Sequence, residues 1–222
     1  MTSGGAGAAL EQGMIQQKVA AVRAERQAAV ARRKDAFTGT SDFPDLAETP
    51  VSVLDVAPVT LPPPSALAFE PLPRVRLAEP FEALRDASDR TCARTGARPK
   101  IFLANLGGPA DFTARASFAK NFFAAGGMEA IGNDGFATRD AMIEAFKASG
   151  AKLACLCSSD EVYAREALAA TQALRRAGAL VWLAGRPRAL ESELTQAGVS
   201  AFVFTGCDAL AALGAAQGLI AS

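Results

Sequence analysis

The chain has 222 residues, half of them hydrophobic, with 23 basic and 23 acidic side chains and no histidine. Zero net charge argues against a general nucleic-acid or membrane-surface binder, which carries a basic excess, and no apolar run approaches the ~18 residues of a membrane-spanning helix. The missing histidine excludes Ser-His-Asp and Cys-His catalysis, a His-containing zinc site and any imidazole ligand to a metal.

The N-terminal MTSGGAGAAL has neither a charged n-region nor an apolar h-region, so no secretory signal is expected. Residues 7 to 35 predict one long helix. Ile15, Val19, Val22 and Val30 form a broken apolar stripe, and Arg32-Arg33-Lys34 falls in the last turn, where cations complement the helix dipole. Such a stripe must dock on the second domain, on a second copy or on another protein. TGTSDFP, residues 38–44, is a turn cluster that stops this helix. Residues 46 to 73 hold most of the twelve prolines, including Pro62-Pro63-Pro64, Pro71 and Pro73. They read as an extended linker with polyproline character, lying along a surface. Glu79 to Thr95 predicts a second helix with Phe81, Leu84 and Ala87 on one side, closed by Gly96 to Pro99.

The remaining chain alternates. Strands are expected at Lys100–Asn105, Met128–Ile131, Lys152–Cys157, Leu180–Ala184 and Ala201–Thr205, and helices at Phe112–Ala125, Arg139–Ser149, Val162–Ala177, Ala189–Gln196 and Asp208–Ile220. Gly126, Gly150, Gly178 and Gly198 close the helices between them. This predicts an α/β fold: a flavodoxin-like, doubly wound, five-stranded parallel sheet of order 2-1-3-4-5. The expected organisation is an N-terminal helix over 1–37, a Pro-rich linker over 38–78, a connecting helix over 79–98 and the sheet domain over 99–222.

Ligands of such sheets bind beyond the carboxyl ends of strands 1 and 3. That rim comprises Asn105 to Asp111, Ser158 to Asp160, Ala184 to Arg186 and Thr205 to Asp208. Most rim residues have two readings. Gly107 and Gly108 suit a phosphate cradle or a tight turn. Asp111 suits a cleft residue or the N-cap of the first sheet helix. Ser158, Ser159 and Asp160 suit a polar pocket, or a capping box from Ser158 to Glu161. Arg186 and Arg188 suit an anion site or a solvated loop. Cys207 opens the last helix with no cation beside it in sequence, and reads as an inert thiol. Cys155 and Cys157 share one strand face, as small core residues, and Trp182 reads as core or interface. The four cysteines lack framework spacing and read as reduced thiols of a cytoplasmic protein.

IFLANLGG, CLCSSDEVYAREAL, VWLAGRP and AFVFTGCDAL resemble the cobalamin-binding domain of methylmalonyl-CoA mutases. More narrowly, IFLANLGG, CSSDEVYA and FTGCD, with the upstream GMIQQKVAAVRAERQ, ARRKDAFTGTSDFP and LAEPFEALRDASD, resemble the small, non-catalytic beta subunit of the heterodimeric bacterial enzyme. The resemblance implies that residues 1–37 correspond to the end of that subunit's barrel domain. It implies a catalytic large subunit as partner, adenosylcobalamin as the family's cofactor and methylmalonyl-CoA/succinyl-CoA isomerisation as the reaction of the complex. It also implies a degenerate cofactor pocket at Gly107, Gly108, Asp111, Ser158, Ser159, Gly185, Thr205 and Gly206, with no catalytic residue and no metal ligand.

The departures from the family are specific. The family's Asp-x-His-x-x-Gly falls on Pro109, Asp111 and Ala114, its Ser-x-Leu on Ser158-Ser159-Asp160, and its Gly-Gly on Ala184-Gly185. Cobalt ligation by histidine is therefore impossible. With no substrate barrel in these residues, the chain is not expected to isomerise a CoA ester alone. Two readings follow: a structural partner of the large subunit, or a module for cobalamin or another nucleotide-like ligand that lacks the cobalt-ligating histidine. A third is an unrelated flavodoxin-like enzyme using Asp111 or Asp160 as acid or base.

Overall fold

A computed structural model describes residues 4–49, 52–57, 59–60 and 69–221. Pro62-Pro63-Pro64 lies outside the described residues. The N-terminal helix is two helices, α1 (Ala6–Glu11) and α2 (Met14–Ala31). Between them Gly13 takes a left-handed conformation, φ 67°, and caps α2. A glycine adopts this backbone without a Cβ penalty, and the helix breaks there, two residues before the apolar stripe begins at Ile15. Of that stripe only Val30 is buried; Ile15, Val19 and Val22 remain 37%, 40% and 58% exposed.

The basic triplet Arg32-Arg33-Lys34 follows the helix instead of filling its last turn. Arg33 is itself left-handed, φ 56°. Its Nη2 donates to Asp42 Oδ1 at 2.9 Å and to Asn121 Oδ1 at 3.3 Å. Arg33 of the triplet thus anchors the 38–44 turn to the sheet domain rather than answering a dipole. The described linker residues have no regular secondary structure, and Val53, Leu54, Val56 and Val59 are 75–88% exposed.

Helix α3 (Glu79–Thr95) starts with Pro80 in its first turn and ends at Gly96 with φ 80°. It leads into a sheet of β1 (Lys100–Asn105), β2 (Glu129–Ile131), β3 (Leu153–Cys157), β4 (Leu180–Ala184) and β5 (Val199–Val203), all parallel, in the order β2-β1-β3-β4-β5. Strand β5 begins two residues earlier than the sequence suggests. Gly198, φ 114°, ends the preceding helix and delivers the chain straight into the strand. A turn in which Cys207 N–H donates to Phe204 C=O then closes it.

Both sheet faces are covered, as the unbroken burial of β3 requires. Leu153, Cys155 and Cys157 face α4 (Pro109–Ala125) and α9 (Ala209–Ala221), in a core with Phe122, Phe123, Trp182 and Leu213. Phe81 of α3 and Val30 of α2 join this layer. Ala154 and Leu156 face α5 (Arg139–Ser149), α7 (Leu168–Arg176) and α8 (Glu191–Ala197), with Phe102, Phe146, Leu174 and Leu194. Gln217 of α9 donates to Leu84 C=O and Gly126 C=O at 2.7 and 2.8 Å, fastening α3 to the sheet domain. Among the described residues no helix is long and apolar enough to cross a membrane.

Candidate functional site

The carboxyl ends of β1, β3 and β4 meet at the switch point of the sheet, and α4 starts there. Its N-cap is Gly108, not Asp111. Asp111 is the third helical residue, and its Oδ2 reaches back to accept the Gly108 N–H at 2.9 Å. Gly107 is left-handed, φ 78°, and a Cβ on it would lie 2.6 Å from the same Oδ2. The turn is built around the Asp111 carboxylate, which takes the N–H that a cradled phosphate would need.

At the end of β3 the two serines differ in role. Ser158 is fully buried and donates its hydroxyl to Leu106 C=O at 2.7 Å, tying the exits of β1 and β3 together. The cap is Ser159, whose Oγ accepts from Val162 N–H at 3.3 Å. The short helix α6 (Asp160–Val162) widens into a π-helical turn, Tyr163–Ala167, before α7 resumes. The buried Tyr163 hydroxyl accepts the Ser158 N–H at 2.9 Å and lies 2.9 Å from Leu156 C=O and 2.8 Å from Ala184 C=O. Burial, and then the neighbouring Cys157 and Cys155, hold this phenol neutral well above its ordinary range.

Arg115 of α4 completes the rim. Its Nη1 donates to Ser158 C=O at 2.5 Å and its Nη2 to Asp160 Oδ1 at 2.6 Å, and its Cζ stands 4.9 Å from the centroid of the Tyr163 ring. Gly185, φ 113°, faces it: a Cβ there would be 3.0 Å from the guanidinium carbon. Burial alone would lower the Arg115 pKa. The Asp160 hydrogen bond, with the adjacent Tyr163 phenol and the Asp160 charge, outweighs it, and the net direction is up. The Arg115 side chain is 27% exposed and Asp160 68%, so the ion pair is partly screened; the carbonyl and ring contacts are the sheltered part of the arrangement.

Thr205 and Gly206 do not join this cluster. Both are exposed, and they line a separate cavity of about 380 Å³ between Arg32 and Arg33 of the N-terminal segment and Asn121 of α4. Cys207 shares that cavity, and burial pushes its thiol pKa up. Arg186 is held by Glu191 at 2.9 and 3.1 Å and lies over the Phe204 ring. The eight candidate positions therefore divide into three groups: Gly107, Gly108 and Asp111; Ser158, Ser159 and Gly185; and Thr205 with Gly206. Sequence reasoning missed Arg115 and Tyr163. Arg115 looks like one more charge on a helix, and its partner Asp160 is 45 residues away. The carboxylates considered as acid or base are both engaged, Asp111 with Gly108 N–H and Asp160 with Arg115.

A nucleotide-bearing cofactor needs the glycine faces of this rim bare. Here the chain's own carboxylate meets Gly107 and its own guanidinium meets Gly185. A ligand tail laid against Gly107 or Gly185 would first have to displace Asp111 or Arg115.

These features define a flavodoxin-like α/β domain of the cobalamin-binding type in which the chain's own Asp111 and Arg115 stand against two rim glycines. Residues 1–67 match the family model for methylmalonyl-CoA mutase. The chain is 46% identical over 207 residues to the methylmalonyl-CoA mutase small subunit of Streptomyces virginiae, across 93% of this chain and 31% of that one. It is 33% identical over 211 residues to the small subunit of Porphyromonas gingivalis, across 95% of this chain and 33% of that one. Identity to the small subunit of Propionibacterium freudenreichii is 38% over 159 residues, across 72% of this chain and 23% of that one. Over the part that it spans, a third or less of those relatives' length, the chain belongs to the methylmalonyl-CoA mutase small-subunit family.

Proposed function

We propose that the chain serves as a non-catalytic scaffold: the portion of a methylmalonyl-CoA mutase small subunit that pairs with a catalytic large subunit in the cytoplasm and stabilises it during methylmalonyl-CoA/succinyl-CoA isomerisation. The observation that carries this reading is that Asp111 and Arg115, one helical turn apart on α4, stand against Gly107 and Gly185 of the rim. A rim that sets its own carboxylate and guanidinium against Gly107 and Gly185 is suited to support rather than to cofactor chemistry. The exposed Ile15, Val19 and Val22 of α2 and the exposed Val53, Leu54, Val56 and Val59 supply apolar surface for the large subunit to cover. In this reading residues 1–37 are the end of the barrel domain, 38–78 the wrapping linker, 79–98 the connecting helix and 99–222 the supporting domain.

The test is co-purification with the large subunit, followed by the activity and thermal midpoint of the pair. A stable pair whose large subunit is more active or more heat-resistant supports the scaffold. The absence of both pairing and any effect overturns it. A parallel absorbance titration with adenosylcobalamin addresses the ligand-module reading, under which cobalamin would co-elute with the chain and the rim residues Gly107, Gly108, Asp111, Ser158, Ser159 and Gly185 would form its binding site.

A further inference from the structure

The four walls around the Arg115 head group share one chemistry. Ser158 C=O is a fixed acceptor, Asp160 is an anion, the Tyr163 ring presents an electron-rich face, and Gly185 offers a flat wall with no side chain. Three of the walls are themselves held in place, and Asp160 reaches in from the surface. Ser158 is tied to Leu106, Tyr163 is locked through its hydroxyl, and Gly185 N–H donates to Val203 C=O at 2.7 Å. A planar cation with in-plane donors satisfies all four walls at once. An ammonium does not, because it has no plane to lay between a ring and a glycine.

We infer that the crevice between the β3 and β4 exits is a guanidinium site which the chain fills with its own Arg115. The side chain acts as an internal ligand that orders the rim without any cofactor. Any incoming molecule must first displace it, breaking the Asp160 pair and the Ser158 contact and uncovering Gly185. Removing the Arg115 side chain leaves the four walls standing and opens the site to a free guanidinium ion. The inference shares with the pairing reading the observation that Arg115 lies in the rim, but its test uses the chain alone, so the failure of one is distinguishable from the failure of the other.

The experiment is thermal unfolding of Arg115→Ala in 0–50 mM guanidinium chloride, with sodium chloride and urea as matched controls. Those concentrations lie far below the denaturing range. The variant should melt below the unmodified chain and regain about 3–6 °C once guanidinium reaches ten times its dissociation constant. Sodium and urea should restore nothing, and the unmodified chain should gain nothing. Equal gains in both proteins, equal gains with sodium, or no gain at all would overturn the assignment. Should Arg115→Ala fail to fold, nitrogen-15 NMR of the unmodified chain decides. One arginine guanidinium should show Nη–H resonances that are ring-shifted and slow to exchange, and they should lose that protection in Asp160→Asn. A spectrum with no such resonance refutes the site.

Discussion

Replacing Tyr163 by Phe removes one oxygen and tests whether the rim is a single hydrogen-bonded unit. The phenol accepts the Ser158 N–H at 2.9 Å, and its one proton goes to Leu156 C=O at 2.9 Å or Ala184 C=O at 2.8 Å. The residue is 1% exposed, so water does not replace what is lost. An orphaned buried donor or acceptor costs ~1–3 kcal/mol. The Ser158 N–H loses its bond outright, whereas each carbonyl loses only a shared one, so the total should be ~2–4 kcal/mol. For a chain of this size that is a fall of ~4–16 °C in the thermal midpoint. Urea unfolding should show the same loss as a lower midpoint with an unchanged slope. A loss below ~0.5 kcal/mol would refute the reasoning, because it would mean that the π-helical turn relaxes and lets the three partners pair elsewhere.

Three further outcomes are expected. Gly107→Ala places a methyl 2.6 Å from Asp111 Oδ2 at a φ of 78° and should cost ~1–2 kcal/mol in chemical denaturation; the cost should shrink when Asp111→Ala is added, and full additivity would show that the carboxylate is not the obstacle. Cys155 is held protonated above its ordinary range by its Cys157 hydrogen bond and by burial, and Tyr163 chiefly by burial. The unfolded chain therefore loses these protons first, so stability is complete below pH ~8.5 and falls as pH climbs beyond ~10; a flat profile up to pH ~11 would contradict this. Val19→Asp with Val22→Asp alters half-exposed positions, so it should change the stability of the chain by less than ~0.5 kcal/mol yet weaken pairing with a large subunit at least ~10-fold; unchanged pairing would place the partner surface elsewhere.

The sheet order and the helix–strand alternation were legible because they rest on local signals: apolar runs such as Leu153–Cys157 and glycines such as Gly150 and Gly198 at helix ends. The break at Gly13 was hidden because the apolar stripe begins only at Ile15 and says nothing about the alanine-rich residues before the glycine. The exchange of roles between Ser158 and Ser159 turns on Leu106, a contact 52 residues away in sequence. Arg115 was invisible for the same reason: nothing within its own helix distinguishes it from a solvated cation. The family signature located the rim but gave no sign that Asp111 and Arg115 stand against two of its glycines.

The single tryptophan and the single tyrosine lie in different layers of the sandwich. Trp182 sits beneath α4, 6.0 Å from the Phe123 ring centroid and level with Cys155 on the adjacent strand. Tyr163 belongs to the opposite layer with Leu156 and Leu183. Each layer thus carries its own optical reporter, with no labelling and no competing signal of the same kind. Tryptophan emission follows the face that the N-terminal arm covers, and tyrosine absorbance follows the face that it does not. One unfolding run on unmodified protein therefore yields two traces, and the gap between them measures how tightly the two halves of the domain are coupled.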